Sequence, residues 1–100
     1  MPRVTPTISI DDDELQFEFV RGSGPGGQNV NKVATAAQLR FDVDASPNLP
    51  GAVKARLKRL AGNKLTGGGE ILIEAKRHRS QQRNRDDAIE RLVTLIRRAA

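Results

Sequence analysis

The sequence predicts a two-layer α+β domain: a small, mostly antiparallel or mixed sheet with helices packed on one face. Three observations predict it. Three segments alternate apolar and polar residues with period two, as half-buried strands do. Two others carry apolar residues at helical spacing. A chain of 100 residues with 37% apolar composition has room for one small core, so residues 1–100 are read as a single domain.

In chain order, Ile8 and Ile10 are expected to begin a short edge strand that pairs across the acidic turn Asp11-Asp12-Asp13-Glu14. Leu15, Phe17 and Phe19 share a face opposed by Gln16 and Glu18. A short helix is expected over residues 30–37, where alanines dominate. Leu39, Phe41 and Val43 form the second strand face, opposed by Arg40, Asp42 and Asp44. Val53, Leu57, Leu60 and Ala61 lie on one helical stripe, with Pro50 near its start and Gly62 as its stop. Residues 64–69 hold three successive glycines and read as a turn. Ile71, Ile73 and Ala75 make the third strand face, with Glu70 and Glu74 outward, and Ile89, Leu92, Val93 and Ile96 line a helix over residues 80–98. Alternation with a polar outer face is the pattern of a sheet covered on its apolar side only.

Composition excludes several classes. The chain has no cysteine, so no disulfide framework and no thiolate metal site, and no cluster has metal-ligand spacing; no cofactor is expected. There is no signal-peptide core and no run of membrane-spanning length, which leads us to expect the bacterial cytoplasm; a monomer is expected as well. Residues 1–50 carry 4 Lys/Arg against 7 Asp/Glu, whereas residues 51–100 carry 13 against 5. With a pI near 10.4, that asymmetry points to a nucleic-acid partner met by the second half. Lys76, Arg77, Arg79, Arg83 and Arg85, around His78, are the candidate RNA contacts, to be weighed against a solvated helix entrance in which Asp87 pairs with Arg91. Only three aromatics exist, all Phe on inner strand positions, so base stacking is not expected and binding should read phosphate and shape. Lys54, Lys58 and Arg59 read as an ordinary solvated helix face, and residues 11–14 as an exposed turn rather than a carboxylate active site.

The most informative stretch is Gly22-Ser23-Gly24-Pro25-Gly26-Gly27-Gln28-Asn29-Val30-Asn31-Lys32, directly after the first strand. Glycine admits positive backbone dihedrals and close approach, so such a segment suits a narrow site. Gly22, Gly24 and Gly27 also satisfy the dinucleotide-binding spacing, with Asp42 in the place of a ribose-binding acid. That fold needs several parallel strands and far more chain, which argues against it. A plain glycine linker would leave Gln28, Asn31 and Lys32 unexplained.

The run from Gly24 through Ala36, followed by Leu39-Arg40-Phe41-Asp42-Val43, resembles the catalytic domain of class I peptide-chain release factors. Within that family it is most similar to the ribosome-rescue branch, the alternative ribosome-rescue factor B group and its mitochondrial relatives, as are Arg79-Ser80-Gln81, Asn84-Arg85 and Leu92-Val93. The resemblance implies a release-factor-like fold and codon-independent hydrolysis of the peptidyl-tRNA ester in the peptidyl-transferase centre. It further implies Gly26, Gly27 and Gln28 as the catalytic segment, large-subunit RNA and P-site peptidyl-tRNA as partners, and a glutamine methyltransferase acting on Gln28. Asn31 and Lys32 are expected to tie down the loop base or touch RNA. Members of that branch continue into a Lys/Arg-rich C-terminal tail; the sequence ends at Arg97-Arg98-Ala99-Ala100 without one, and the expectation is an isolated catalytic domain.

The residues agree with a site that lacks its own base. There is no cysteine, the single histidine is His78, and a neutral glutamine amide cannot accept a proton usefully. The backbone N–H of Gln28 is the candidate oxyanion donor and its side chain the candidate orienter of water. Two other readings stay open: a hydrolase of free peptidyl-tRNA, and a non-catalytic RNA- or ribosome-binding module.

Overall fold

The period-two segments form the strands. In the computed structural model, which describes residues 8–20 and 35–100, β1 (Leu15–Val20), β2 (Ala36–Asp42) and β3 (Glu70–Ala75) make one antiparallel sheet in the order β1-β2-β3. The register sets Leu15, Phe41 and Ile71 in one row, Phe17, Leu39 and Ile73 in the next, and Phe19, Ala37 and Ala75 in a third. Side chains alternate along a strand, so all three rows share a face. The opposite face carries Gln16, Glu18, Gln38, Arg40, Asp42, Glu70, Leu72 and Glu74, with Val20 and Ala36 at one end, a mostly polar set.

Helix α1 spans Gly51–Ala61 and helix α2 spans Gln81–Ala99. α2 lies on the inner sheet face over β2 and β3, burying Ala88, Leu92 and Ile96 in the same core as Leu39, Phe41, Ile71 and Ile73. Its first turn begins at Ser80, whose hydroxyl oxygen accepts from the Arg83 N–H at 3.3 Å, the N-cap bond that satisfies an otherwise unpaired donor. α1 packs on α2 through Val53, Leu57 and Ala61 and ends where Gly62 takes φ +57. Arg56 Nε donates to the Ala99 carbonyl at 2.6 Å, which gives the last turn of α2 a partner for one of its free oxygens.

The connections are held by short polar bonds. Asp42 Oδ1 accepts from the N–H groups of Asp44 and Ala45, the local turn that aspartate favours. Asp44 then pairs with Lys58 at 2.7 Å while its carbonyl accepts from Lys54 Nζ, fastening the β2–α1 connection to α1. Gly69 sits at φ +81, a dihedral that side-chain-bearing residues rarely adopt, so this turn position favours glycine; a Cβ there would lie 3.0 Å from Asp44 Oδ2, which a small shift of that exposed side chain would relieve. Lys54 and Lys58 thus serve the fold, in keeping with a solvated helix face.

Four expectations change. Residues 12–14 form a 3-10 turn, closed by Glu14 accepting from the Asp11 N–H, and Ile8 and Ile10 bury as anchors with no described strand at residues 8–10; Ser9 makes a single bridge. The Glu14 carboxylate accepts from the Ser46 hydroxyl and Asn48 donates to the Ser9 carbonyl, so side chains fasten this segment where a ladder was expected. Ala36 and Ala37 open β2 instead of closing a helix; residues 30–34 lie outside the described residues. Leu60 is 37% exposed, because α1 meets the core only along Val53, Leu57 and Ala61 and Leu60 falls on the rim of that stripe. On α2 the buried line is Asn84, Ala88, Leu92 and Ile96, while Ile89 and Val93 flank it half-buried. Among the described residues, no helix is long and apolar enough to cross a membrane.

Leu57→Ala should cost about 2–5 kcal/mol in denaturant unfolding, the range for emptying a packed aliphatic site. Leu60→Ala, on the rim, should change stability by about 0.5 kcal/mol or less. Equal losses would put Leu60 in the core.

Candidate functional site

Val20 and Ala36 form the last register pair of β1 and β2 on the side from which residues 21–35 leave the sheet. Gly26, Gly27, Gln28, Asn31 and Lys32 all belong to that segment and lie outside the described residues. What the structure gives is the stem beneath them, and the first turn of α2 grips it on both legs.

On the β2 leg, Asn84 Nδ2 donates to the Thr35 carbonyl at 2.7 Å. The same nitrogen donates to the His78 carbonyl at 2.9 Å, and Asn84 Oδ1 accepts from the His78 N–H at 2.9 Å. Asn84 is fully buried. On the β1 leg, the Arg85 guanidinium lies 4.9 Å from the centroid of the Phe17 ring, a cation–π distance. Two consecutive residues of α2 therefore hold the two strands that lead into the glycine segment.

The basic candidates gather at this same end of the fold, on the β3–α2 connection and the start of α2. Lys76 approaches Glu74 at 3.7 Å, and Arg85 approaches Asp86 at 3.8 Å besides covering Phe17. Both contacts are exposed and worth little. Arg79 and Arg83 are exposed and make no ion pair among the described residues, so their charge is available to a phosphate. Arg77 is partly committed: its Nη2 lies 2.8 Å from Asp87 Oδ1, with the side chain still 66% exposed.

Asp87 is the other buried polar residue here, only 6% exposed. Besides Arg77 it faces Arg91 Nη2, 2.9 Å from its second oxygen, an ion pair without hydrogen-bond alignment. Arg91 also donates to the Glu74 carbonyl at 3.1 Å. The i,i+4 pairing of Asp87 with Arg91 is present as the spacing suggests, but it closes a three-residue cluster that fastens α2 to the end of β3. Sequence reasoning passed over Asn84 as a structural element. The signal was available: Asn84 falls on the i, i+4, i+8, i+12 line of Ala88, Leu92 and Ile96, where a polar side chain must find partners.

Comparison with known proteins supplies the context. A family model described as RF-1 domain matches residues 3–100. The chain is 43% identical over 96 residues to a protein named peptidyl-tRNA hydrolase ArfB from Pseudomonas putida, covering 96% of this chain and 69% of that one. It is 32% identical over 88 residues to the mouse large ribosomal subunit protein mL62, covering 88% of this chain and 43% of that one. Over 97 residues it is 34% identical to peptide chain release factor 1 of Lactococcus lactis, covering 96% of this chain and 20% of that one. The chain thus spans about two thirds, under half and a fifth of these relatives.

The Asp87 cluster should behave non-additively. Arg77→Ala or Arg91→Ala alone should cost about 1 kcal/mol, since the other guanidinium stays and the side chains are substantially exposed. Together they leave a buried carboxylate without a countercharge and should cost about 3–5 kcal/mol. A double-mutant cycle by urea unfolding checks this; simple addition would mean Asp87 is solvated.

Proposed function

The chain belongs to the RF-1 domain family, and on that basis we propose that it hydrolyses the ester joining a nascent peptide to tRNA on the ribosome, independently of a stop codon, and so releases chains from stalled ribosomes. The observation that carries the reading is Gly26-Gly27-Gln28 inside a chain 43% identical to a protein named as a peptidyl-tRNA hydrolase. Residues 1–100 act in this reading as one catalytic domain, a cytoplasmic monomer.

The chemistry follows from what the chain lacks. With no cysteine and with His78 held in the β3–α2 connection, water attacks the ester carbonyl directly. The carbon–oxygen bond to the ribose breaks, the ribose oxygen takes a proton, and the peptide leaves as a carboxylate. Proton transfer falls to the substrate or to ribosomal RNA. The Gln28 N–H donates to the oxygen on which charge develops, the Gln28 side chain orients the water, and Gly26 and Gly27 allow that backbone geometry. The methylation expected at Gln28 would act on the same side chain.

Arg79 and Arg83 supply the sequence-independent grip on large-subunit RNA, aided by Lys76, Arg77 and Arg85 and by Asn31 and Lys32 near the glycine segment. A second reading has one observation in its favour: mL62, at 32% identity, is named as a ribosomal protein, so the domain could instead serve as a non-catalytic ribosome-binding module.

Peptide release from ribosomes stalled at the end of a message without a stop codon, with the protein in large excess, separates the two. Gly27→Ala should reduce release by about 10²–10³-fold, the worth of one oxyanion donor. Gln28→Ala keeps its N–H and should weaken release less. Release unaffected by either change, or absent altogether, would sink the catalytic reading. Replacing both Arg79 and Arg83 by Ala should raise the half-saturating concentration and lower the slope of log affinity against log salt by about 1–2.

A further inference from the structure

Asn84 makes more bonds than fold stability asks of it. Its neighbours on the buried line of α2 are Ala88, Leu92 and Ile96, and an apolar residue in its place would extend the same seam. A buried carboxamide carries a desolvation cost and offsets it only when its hydrogen bonds are made. Here both N–H donors and the carbonyl oxygen are used, and every partner is backbone: the Thr35 carbonyl, the His78 carbonyl and the His78 N–H. Neither Thr35 nor His78 belongs to a helix or a strand. The bonds therefore pin two irregular segments to each other and to α2.

Those two segments are the ones the proposed chemistry needs. Thr35 is the residue by which the chain of residues 21–34 re-enters the fold, seven residues after Gln28. His78 lies between Arg77 and Arg79 in the basic connection. Resting on the reading of the chain as a peptidyl-tRNA hydrolase, we infer that Asn84 is a positioning residue, whose carboxamide sets the re-entry of the glycine segment at Thr35 in fixed register with the basic residues that grip the RNA.

The residue type is demanded by the partners. Two carbonyl oxygens and one N–H converge on one side chain, so it must offer two donors and one acceptor at a single carbon's reach. Aspartate of the same shape offers no donor and would set one oxygen against two carbonyls, keeping only the bond from the His78 N–H. Serine offers a single donor. Glutamine has the right groups one methylene too far out. Arg85 on Phe17 holds the β1 leg by a softer contact, leaving the directional bonds to the β2 leg.

Single-turnover release, with protein in excess over stalled ribosomes, distinguishes positioning from stability. The plateau rate reports ribosomes occupied by folded protein, whereas a variant that is merely less stable only raises the half-saturating concentration. Asn84→Asp and Asn84→Ser should each lower the plateau at least about tenfold, because misplacing a reacting group by about 1 Å costs up to about 10² in rate. Their half-saturating concentrations should stay within about threefold of the unmodified protein, since Arg79 and Arg83 remain. Gln82→Ala, an exposed change in the same turn, should leave both quantities unchanged. Plateaus equal to the unmodified protein would overturn the inference while leaving the hydrolase reading intact. No release from the unmodified protein would overturn both. Failure of both Asn84 variants to fold would assign the residue to stability and overturn the inference alone.

Discussion

The apolar seam between α2 and the inner face of the sheet determines where every other part of this chain ends up. Ala88, Leu92 and Ile96 share one core with Leu39, Phe41, Ile71 and Ile73, and burying each large aliphatic or aromatic side chain contributes about 1.5–3 kcal/mol. No polar contact in the fold approaches that sum. The polar bonds act within the geometry the seam imposes: Arg56 reaches Ala99 only because α1 is stacked on α2, and Asn84 reaches Thr35 only because α2 runs close over the start of β2. Small side chains assist at this end of the sheet, where Ala37, Ala75 and Ala88 are all completely buried.

The sheet was legible because its strands have one wet face and one dry face, so alternation leaves little freedom in reading them. Rows such as Phe17, Leu39 and Ile73 lie where the alternation puts them. What periodicity cannot convey is how wide a stripe the core will cover, which is why Leu60 reads as buried and sits on the rim. Alanine is a further source of error: its helical propensity suggested a helix through residue 37, but Ala36 and Ala37 pair with Val20 and Phe19 across the sheet. Ile8 and Ile10 were apolar for burial in the core rather than for a ladder, and the segment around them is also fastened by Ser46 to Glu14 and by Asn48 to Ser9, pairs more than thirty residues apart.

The site divides along similar lines. The glycine segment and the basic run announce themselves through residue type alone, since Gly-Gly-Gln and a cluster of arginines need no three-dimensional context to be noticed. Asn84 and Asp87 do not, because their meaning lies in partners: Thr35 is 49 residues from Asn84, and Arg77 is 10 residues from Asp87. A polar residue on an apolar helical line is the warning that such partners exist, and only the packed structure says which they are.

The polar outer face of the sheet has a consequence of its own. Glu18, Asp42, Glu70 and Glu74 project there with Arg40 as the cation among them, while Arg79 and Arg83 stand on the β3–α2 side. Among the described residues the outer sheet face is thus acidic and the β3–α2 connection basic. Near a dense polyanion such a body feels a torque before it makes any contact, turning the carboxylate face outward and the arginine end inward. Ions screen this beyond roughly 8–10 Å, so the turn is confined to the last stretch of an approach. Within that stretch such a body presents its basic connection to the polyanion in preference to its acidic sheet face.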